Sequence, residues 1–202
     1  MELIIFQILV LLFSVVIHEV SHGVVADHLG DPTARLQGRL TLNPLKHLDP
    51  FGSVILPLML VLLNTGVVFG WAKPVPYNPL NLKKPEKGGA MIAAAGPLSN
   101  FILAITFAII FRIAGAFFPN PVLLGLVSQI VLINIVLATF NLVPIPPLDG
   151  SRVLFALLPP SMDNLKYTLE RYGFVLVLFF IFFGISVIYP VIFGIYRLFL
   201  GG

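Results

Sequence analysis

The chain has 202 residues, of which 58% are hydrophobic and only 10% charged, with a mean hydropathy of +1.01. A soluble domain carries about 25% charge, so this composition excludes an ordinary soluble protein and leaves no room for a separate soluble domain of usual size. The net charge of +3 comes from a few basic residues in short loops, which read as topology signals rather than a nucleic-acid surface, and the absence of cysteine excludes disulfides and thiolate metal ligands.

The first apolar run, Leu3 to Ala26, crosses a hydrocarbon core of about 30 Å at roughly 1.5 Å per residue. It lacks the basic start of a signal peptide and is read as a retained membrane helix. Residues 15–26, VVIHEVSHGVVA, carry the H-E-x-x-H motif inside this run. His18 and His22, four residues apart, share one helix face and can bind one metal ion; Glu19 between them occupies the usual place of a general base in a metal-assisted hydrolase. His18 lies roughly 12 Å inside the end of the helix, so the motif is intramembrane but near one face.

Gly30, Asp31 and Pro32 end this helix. Residues 27–53 form a polar connection in which ARLQGRLTL alternates crudely enough for a short strand or hairpin. Residues 54–71 are open to two readings. They can form a short spanning helix, or a re-entrant segment interrupted by Pro57 and the turn signal Asn64-Thr65-Gly66 and followed by the β-rich VVFGWAKPVPY. Residues 72–88 read as a lysine- and proline-rich loop. The next helix, beginning with AMIAAAGPLSN, runs to about Ala116, and its small residues Ala93 to Gly96 suit close helix packing. Pro119-Asn120-Pro121 makes a turn, and residues 122–143 make a helix that stops at Pro144, Pro146 and Pro147. A short helix to Leu158 follows, and residues 172–200 form one helix or two split at Pro190. The fold class expected is therefore an all-α polytopic membrane protein of about four to six membrane helices with a short re-entrant or β-hairpin element. It forms one integral-membrane domain over 1–202, with a core at 1–158 and a C-terminal membrane segment at 172–200.

If 54–71 is re-entrant, ten of the twelve Lys and Arg residues fall on one side, all but Arg112 and Arg197. HEVSH, GPLSN and LDG then lie at similar depth and can meet.

A catalytic zinc takes three protein ligands and leaves one position open. His28 has the spacing of an extended H-E-x-x-H-x-x-G-x-x-H pattern, but Val25 stands where that pattern needs glycine, and β-branched valine disfavours positive φ. Asp27 cannot turn back along its own helix, and Glu86 sits in a lysine-rich loop. Asp49 and Asp149 remain. Asp149 is preferred, because a carboxylate after the apolar and proline residues 145–148 at the membrane end of a helix is costly without a partner, whereas Asp49 is explained as a turn residue before proline.

Taken together, HEVSH in a membrane helix, GPLSN at 96–100 opening a later helix and NLVPIPPLDG at 141–150 resemble the site-2 protease family of intramembrane zinc metalloproteases. The resemblance implies one zinc per chain held by His18, His22 and Asp149, with Glu19 as base. It also suggests that Asn100 and Asn141 hydrogen-bond substrate backbone or the developing oxyanion, an interhelical hydrogen bond being the lesser alternative for each. The expected partners are a transmembrane segment of a membrane-protein substrate and the lipid bilayer, with no nucleic acid. The expected location is a prokaryotic cell membrane, with the site nearer the cytoplasmic face. GWAKPVPY is the expected counterpart of the family's re-entrant β-structure, with an edge that could pair with an extended substrate. No PDZ-like or CBS-like domain fits in the chain, and no helix is expected before HEVSH. The rival reading is a non-proteolytic membrane metal-binding or transport protein, which would use the same ligands with no need of Glu19.

Overall fold

A computed structural model describes residues 2–63 and 70–201. Helices α1 (Glu2–His28), α4 (Pro85–Phe117) and α5 (Pro121–Asn141) are each long and apolar enough to cross a membrane, as is the continuous helical stretch Pro160–Leu200. Between them lie the short helices α2 (Thr33–Leu36), α3 (Leu56–Leu62) and α6 (Asp149–Leu157). The last stretch comprises α7 (Asp163–Phe179), a π-helical turn Phe180–Gly184 and α8 (Ile185–Leu200). The protein is all-α and polytopic.

The core is thin. Ala104 and Ala108 of α4, Val131 and Ile135 of α5 and Ile192 of α8 form its main cluster, while Leu, Ile and Phe side chains elsewhere on the spanning helices face outward. In lipid this is the expected arrangement: small residues let helices approach and large apolar ones meet acyl chains. Gln7 and Gln129 hydrogen-bond at 3.0 Å between α1 and α5. At the far end of α4, Arg112 donates to the carbonyls of Leu198 (2.9 Å) and Phe199 (2.8 Å), capping α8.

Residues 50–63 do not span. A π-helical turn Pro50–Ile55 runs into α3, giving a helical stretch of roughly 20 Å, shorter than the hydrocarbon core. The chain then comes back to where it started: Trp71 N–H donates to Gly52 O at 3.2 Å, Ser53 Oγ to Trp71 O at 2.7 Å and Lys73 N–H to His47 O at 2.8 Å. Both ends of the segment therefore lie at one level, as the re-entrant reading requires. The turn signal at Asn64-Thr65-Gly66 lies outside the described residues.

Three expectations change and one open choice is resolved. Residues 33–41 form no strand, because Asp31 accepts from Thr33 N–H and its hydroxyl and starts the one-turn helix α2, which Gly38 at φ 63° then ends. Residues 70–78 form neither helix nor strand and join no ladder among the described residues. Helix α4 begins earlier than the lysines and prolines imply, because Pro85 at its first position loses no hydrogen bond there. Finally, helix continues through Pro190, and the irregularity falls at residues 180–184 instead.

The polar loops gather at one end of the bundle. Asp31 accepts from Asn78 N–H and Asn81 Nδ2, each at 2.7 Å, and Arg152 of α6 donates to Tyr77 Oη at 2.8 Å. The ten basic residues counted above belong to this end, and Arg112 and Arg197 to the other, in accord with the positive-inside pattern.

Candidate metal centre

The site is assembled from three helices that meet below these loops. Helix α1 supplies His18 and His22, whose rings lie 4.7 Å apart edge to face. Helix α6 supplies Asp149 as its first residue: the chain leaves α5 at Asn141, turns through Pro144, Pro146 and Pro147, and restarts as helix at the carboxylate. Gly150 is required for that restart, since a Cβ there would overlap the carbonyl of Leu142. Helix α4 closes the third side at Gly96, where a Cβ would come within 2.5 Å of both His18 Nε2 and His22 Nε2. The glycine of GPLSN is what lets α4 lie against the histidines.

Hydrogen bonding determines which ring nitrogens face inward. His22 Nδ1 is 2.6 Å from the carbonyl of Ile92, which can only accept, so Nδ1 carries a proton and in the neutral ring Nε2 presents its lone pair. His18 Nδ1 is 2.6 Å from Asn100 Oδ1, with the same result. Asp149 Oδ2 lies 3.1 Å from His18 Nε2 and 3.4 Å from His22 Nε2, yet it is buried and makes no hydrogen bond. With both rings neutral, three lone pairs face one another, an arrangement that a cation relieves. A zinc ion about 2.0–2.1 Å from tetrahedral ligands separates them by about 3.3 Å, close to the two spacings between Asp149 and the histidines. The His, His and carboxylate donors fit zinc, and all three ligand atoms lie within 4.8 Å of one another.

Glu19 is half-buried, and its Oε2 accepts from Val75 N–H at 2.9 Å. Residues 70–78 form a strap across this end of α1. Buried Arg39 holds it, with Nη2 donating to Lys73 O (2.8 Å) and Pro74 O (3.3 Å). The N–H groups of Trp71, Lys73 and Val75 are all spent on the protein, while Pro74 and Pro76 have none. Only Ala72 N–H remains along residues 71–76 for a pairing strand, so the edge expected to receive substrate by β-pairing is blunted by proline.

The asparagines separate. Asn100 is fully buried, and its Nδ2 donates to Ser14 O (3.3 Å) and Asn134 Oδ1 (3.0 Å). It has no donor left for substrate, so the expected contact with substrate or oxyanion is not available to it; its place is behind His18. Asn141 donates one amide N–H to Leu137 O at 2.9 Å and retains the other. Asp49 caps the turn at Phe51 and Gly52, and His28 bonds Val24 O, so neither belongs to the centre. Sequence reasoning passed over Asn134, fully buried in α5; a lone amide in the apolar run VLINIVLATF was the signal that marked it.

Two histidines and an aspartate placed so that they could hold a metal ion, with a glutamate beside them on a helix of a multi-pass protein, are the donor set of a membrane metalloprotease. Sequence comparison reaches the same class. The model of peptidase family M50 matches residues 6–128 and 119–183. The chain belongs to that family, the site-2 proteases, and is a zinc metalloprotease. It is 40% identical over 195 residues to the Bacillus subtilis protein named "Putative zinc metalloprotease YwhC", covering 93% of this chain and 85% of that one. It is 28% identical over 169 residues to "Putative zinc metalloprotease Rip2" of Mycolicibacterium smegmatis, covering 82% and 62%. A zinc metalloprotease of Methanocaldococcus jannaschii is 37% identical over 86 residues, covering 43% of this chain and 24% of its own length. No solved structure matches the chain significantly.

Proposed function

We propose that residues 1–202 act as one intramembrane endopeptidase domain that cleaves a peptide bond within or near a transmembrane segment of another membrane protein. The observation that carries this reading is the convergence of His18 Nε2, His22 Nε2 and the unpartnered Asp149 Oδ2 on helices of a membrane bundle, with Glu19 alongside. His18, His22 and Asp149 would hold the zinc. When bound, zinc supplies Lewis acidity, polarising a carbonyl and lowering the pKa of water.

The chain's own residues do the rest. Glu19, held through Oε2 by Val75 N–H, has Oε1 free to take a proton from the attacking water and deliver it to the leaving amine. The spare N–H of Asn141 is a donor for substrate backbone or the developing oxyanion. Asn100 and the Ile92 carbonyl orient the two imidazoles. The substrate must unwind locally, because a helix satisfies its own amides. The positive-inside distribution supports placing the loops, and with them the nearer face of the site, on the cytoplasmic side of a prokaryotic cell membrane.

Glu19→Gln tests the proposal. The variant is expected to retain one zinc per chain and lose cleavage of a membrane-protein substrate. Undiminished cleavage would overturn the mechanism in favour of some other base, and a wild-type chain that binds zinc but cleaves no transmembrane substrate would favour the metal-binding or transport reading.

A further inference from the structure

We infer that Asn134 is a positioning residue for the metal centre, setting the tautomer of His18 through Asn100. This rests on the zinc reading above. An amide side chain has two chemically distinct ends, and a chain of amides transmits direction: once one end is constrained to donate, every later bond in the chain has its sense determined. Here the constraint begins on α5. Asn134 Nδ2 lies 2.9 Å from the carbonyl of Ile130, which can only accept, so the nitrogen points there and Oδ1 points away. That oxygen, 3.0 Å from Asn100, then requires the Nδ2 end of Asn100. The Ser14 carbonyl at 3.3 Å, also acceptor-only, makes the same demand from α1. Asn100 Oδ1 is thereby turned to His18, where at 2.6 Å it accepts from Nδ1–H and leaves Nε2 as a lone pair toward Asp149 and the metal position.

The relay crosses three helices, α5, α4 and α1, and both asparagines in it have no exposed surface. Water therefore does not compete for their donors and acceptors. Without Asn134, one N–H of Asn100 keeps only the longer bond to Ser14, and the amide can flip. A flipped Asn100 presents N–H to His18 Nδ1, which moves the imidazole proton to Nε2 and blocks the ligand position. The cost falls on metal binding rather than on the fold.

The test is zinc affinity of the purified full-length chain, measured by competition with a chromophoric chelator, for Asn134→Leu and Asn134→Asp. Outer partners of metal ligands affect affinity about 10–100-fold, and Asn134, one bond further out, should lie at the lower end. Asn134→Leu is expected to bind zinc about tenfold more weakly, and in an Asn100→Leu background to add little, because the relay is already broken. Asn134→Asp keeps an acceptor for Asn100 and is expected to bind zinc nearly as the unaltered chain does. A packing role predicts the opposite order, since leucine suits a membrane helix better than a carboxylate. Wild-type affinity in Asn134→Leu, or equal loss in Asn134→Asp, overturns the relay. If Asn134→Leu does not fold, Asn134→Asp decides alone: affinity retained supports the relay and affinity lost refutes it. Zinc affinity in His18→Ala equal to that of the unaltered chain would instead overturn the metal centre itself.

Discussion

Replacing Gly96 by alanine puts a methyl carbon 2.5 Å from His18 Nε2 and His22 Nε2 and 2.6 Å from His18 Cε1. Ordinary carbon–nitrogen contact needs about 3.5 Å, so α4 and α1 must part by about 1 Å or both imidazoles must swing away. Neither ring is free to swing, because Asn100 and the Ile92 carbonyl hold their Nδ1 atoms at 2.6 Å. A metal site tolerates only about 0.2 Å in its ligand distances. The methyl group also stands beside the lone pairs that a metal would meet. Zinc affinity should therefore fall at least about 100-fold, equivalent to about 2.7 kcal/mol. The fold itself should lose about 1–3 kcal/mol, the usual cost of overpacking. Zinc content per chain after gel filtration, a chelator titration and the helical circular dichroism signal separate the two effects. A Gly96→Ala chain that folds and retains one tightly bound zinc would show that α4 does not press on the histidines as described.

Two further outcomes concern the loops that cover the site. Burial pushes the Asp31 carboxyl up, but hydrogen bonds from Thr33, Asn81 and Asn78 outweigh it and hold its pKa below the ordinary 3.8. Its contribution to stability is then fully present above pH 3.8 and is lost as pH falls through the lower folded value. The stability difference between the wild type and Asp31→Asn should be constant at neutral pH and shrink below about pH 4; a difference unchanged down to pH 3 would refute the clamp. Arg39→Met removes charge-assisted bonds to Lys73 O and Pro74 O that are worth roughly 1.5–3 kcal/mol. Faster limited proteolysis within 70–78 together with reduced cleavage is expected, since the strap also carries the Val75 N–H that holds Glu19; an unchanged digestion pattern would show that Arg39 does not secure it.

Much of the protein was legible in the sequence because its signals are local. The apolar runs are long enough to be membrane helices without reference to anything else, and H-E-x-x-H puts two imidazoles on one face by helical spacing alone. Val25 was enough to dismiss His28, and the cost of a carboxylate at the membrane end of a helix was enough to prefer Asp149 to Asp49. Local reasoning failed where the deciding partner is distant. The strap looked like a strand by composition, but its N–H groups go to His47, Gly52 and Glu19, and prolines occupy the positions between. Asn100 looked like a substrate donor by its motif, but Ser14 and Asn134 consume its amide hydrogens.

By itself, then, the sequence determined the class of element and the chemistry available: spanning helices, two imidazoles on one helix face, a carboxylate between them and a short list of candidates for a third ligand. Only the tertiary structure decided that residues 50–63 fall short of spanning, that Gly96 is a contact surface for the histidines, and that Asp149 Oδ2 stands unpartnered between them. The physical reason is the range of the forces. Helix formation and membrane burial depend on neighbours a turn away, whereas the direction of a buried hydrogen bond and the meeting of three lone pairs depend on residues 34 to 131 positions apart, brought together only by packing.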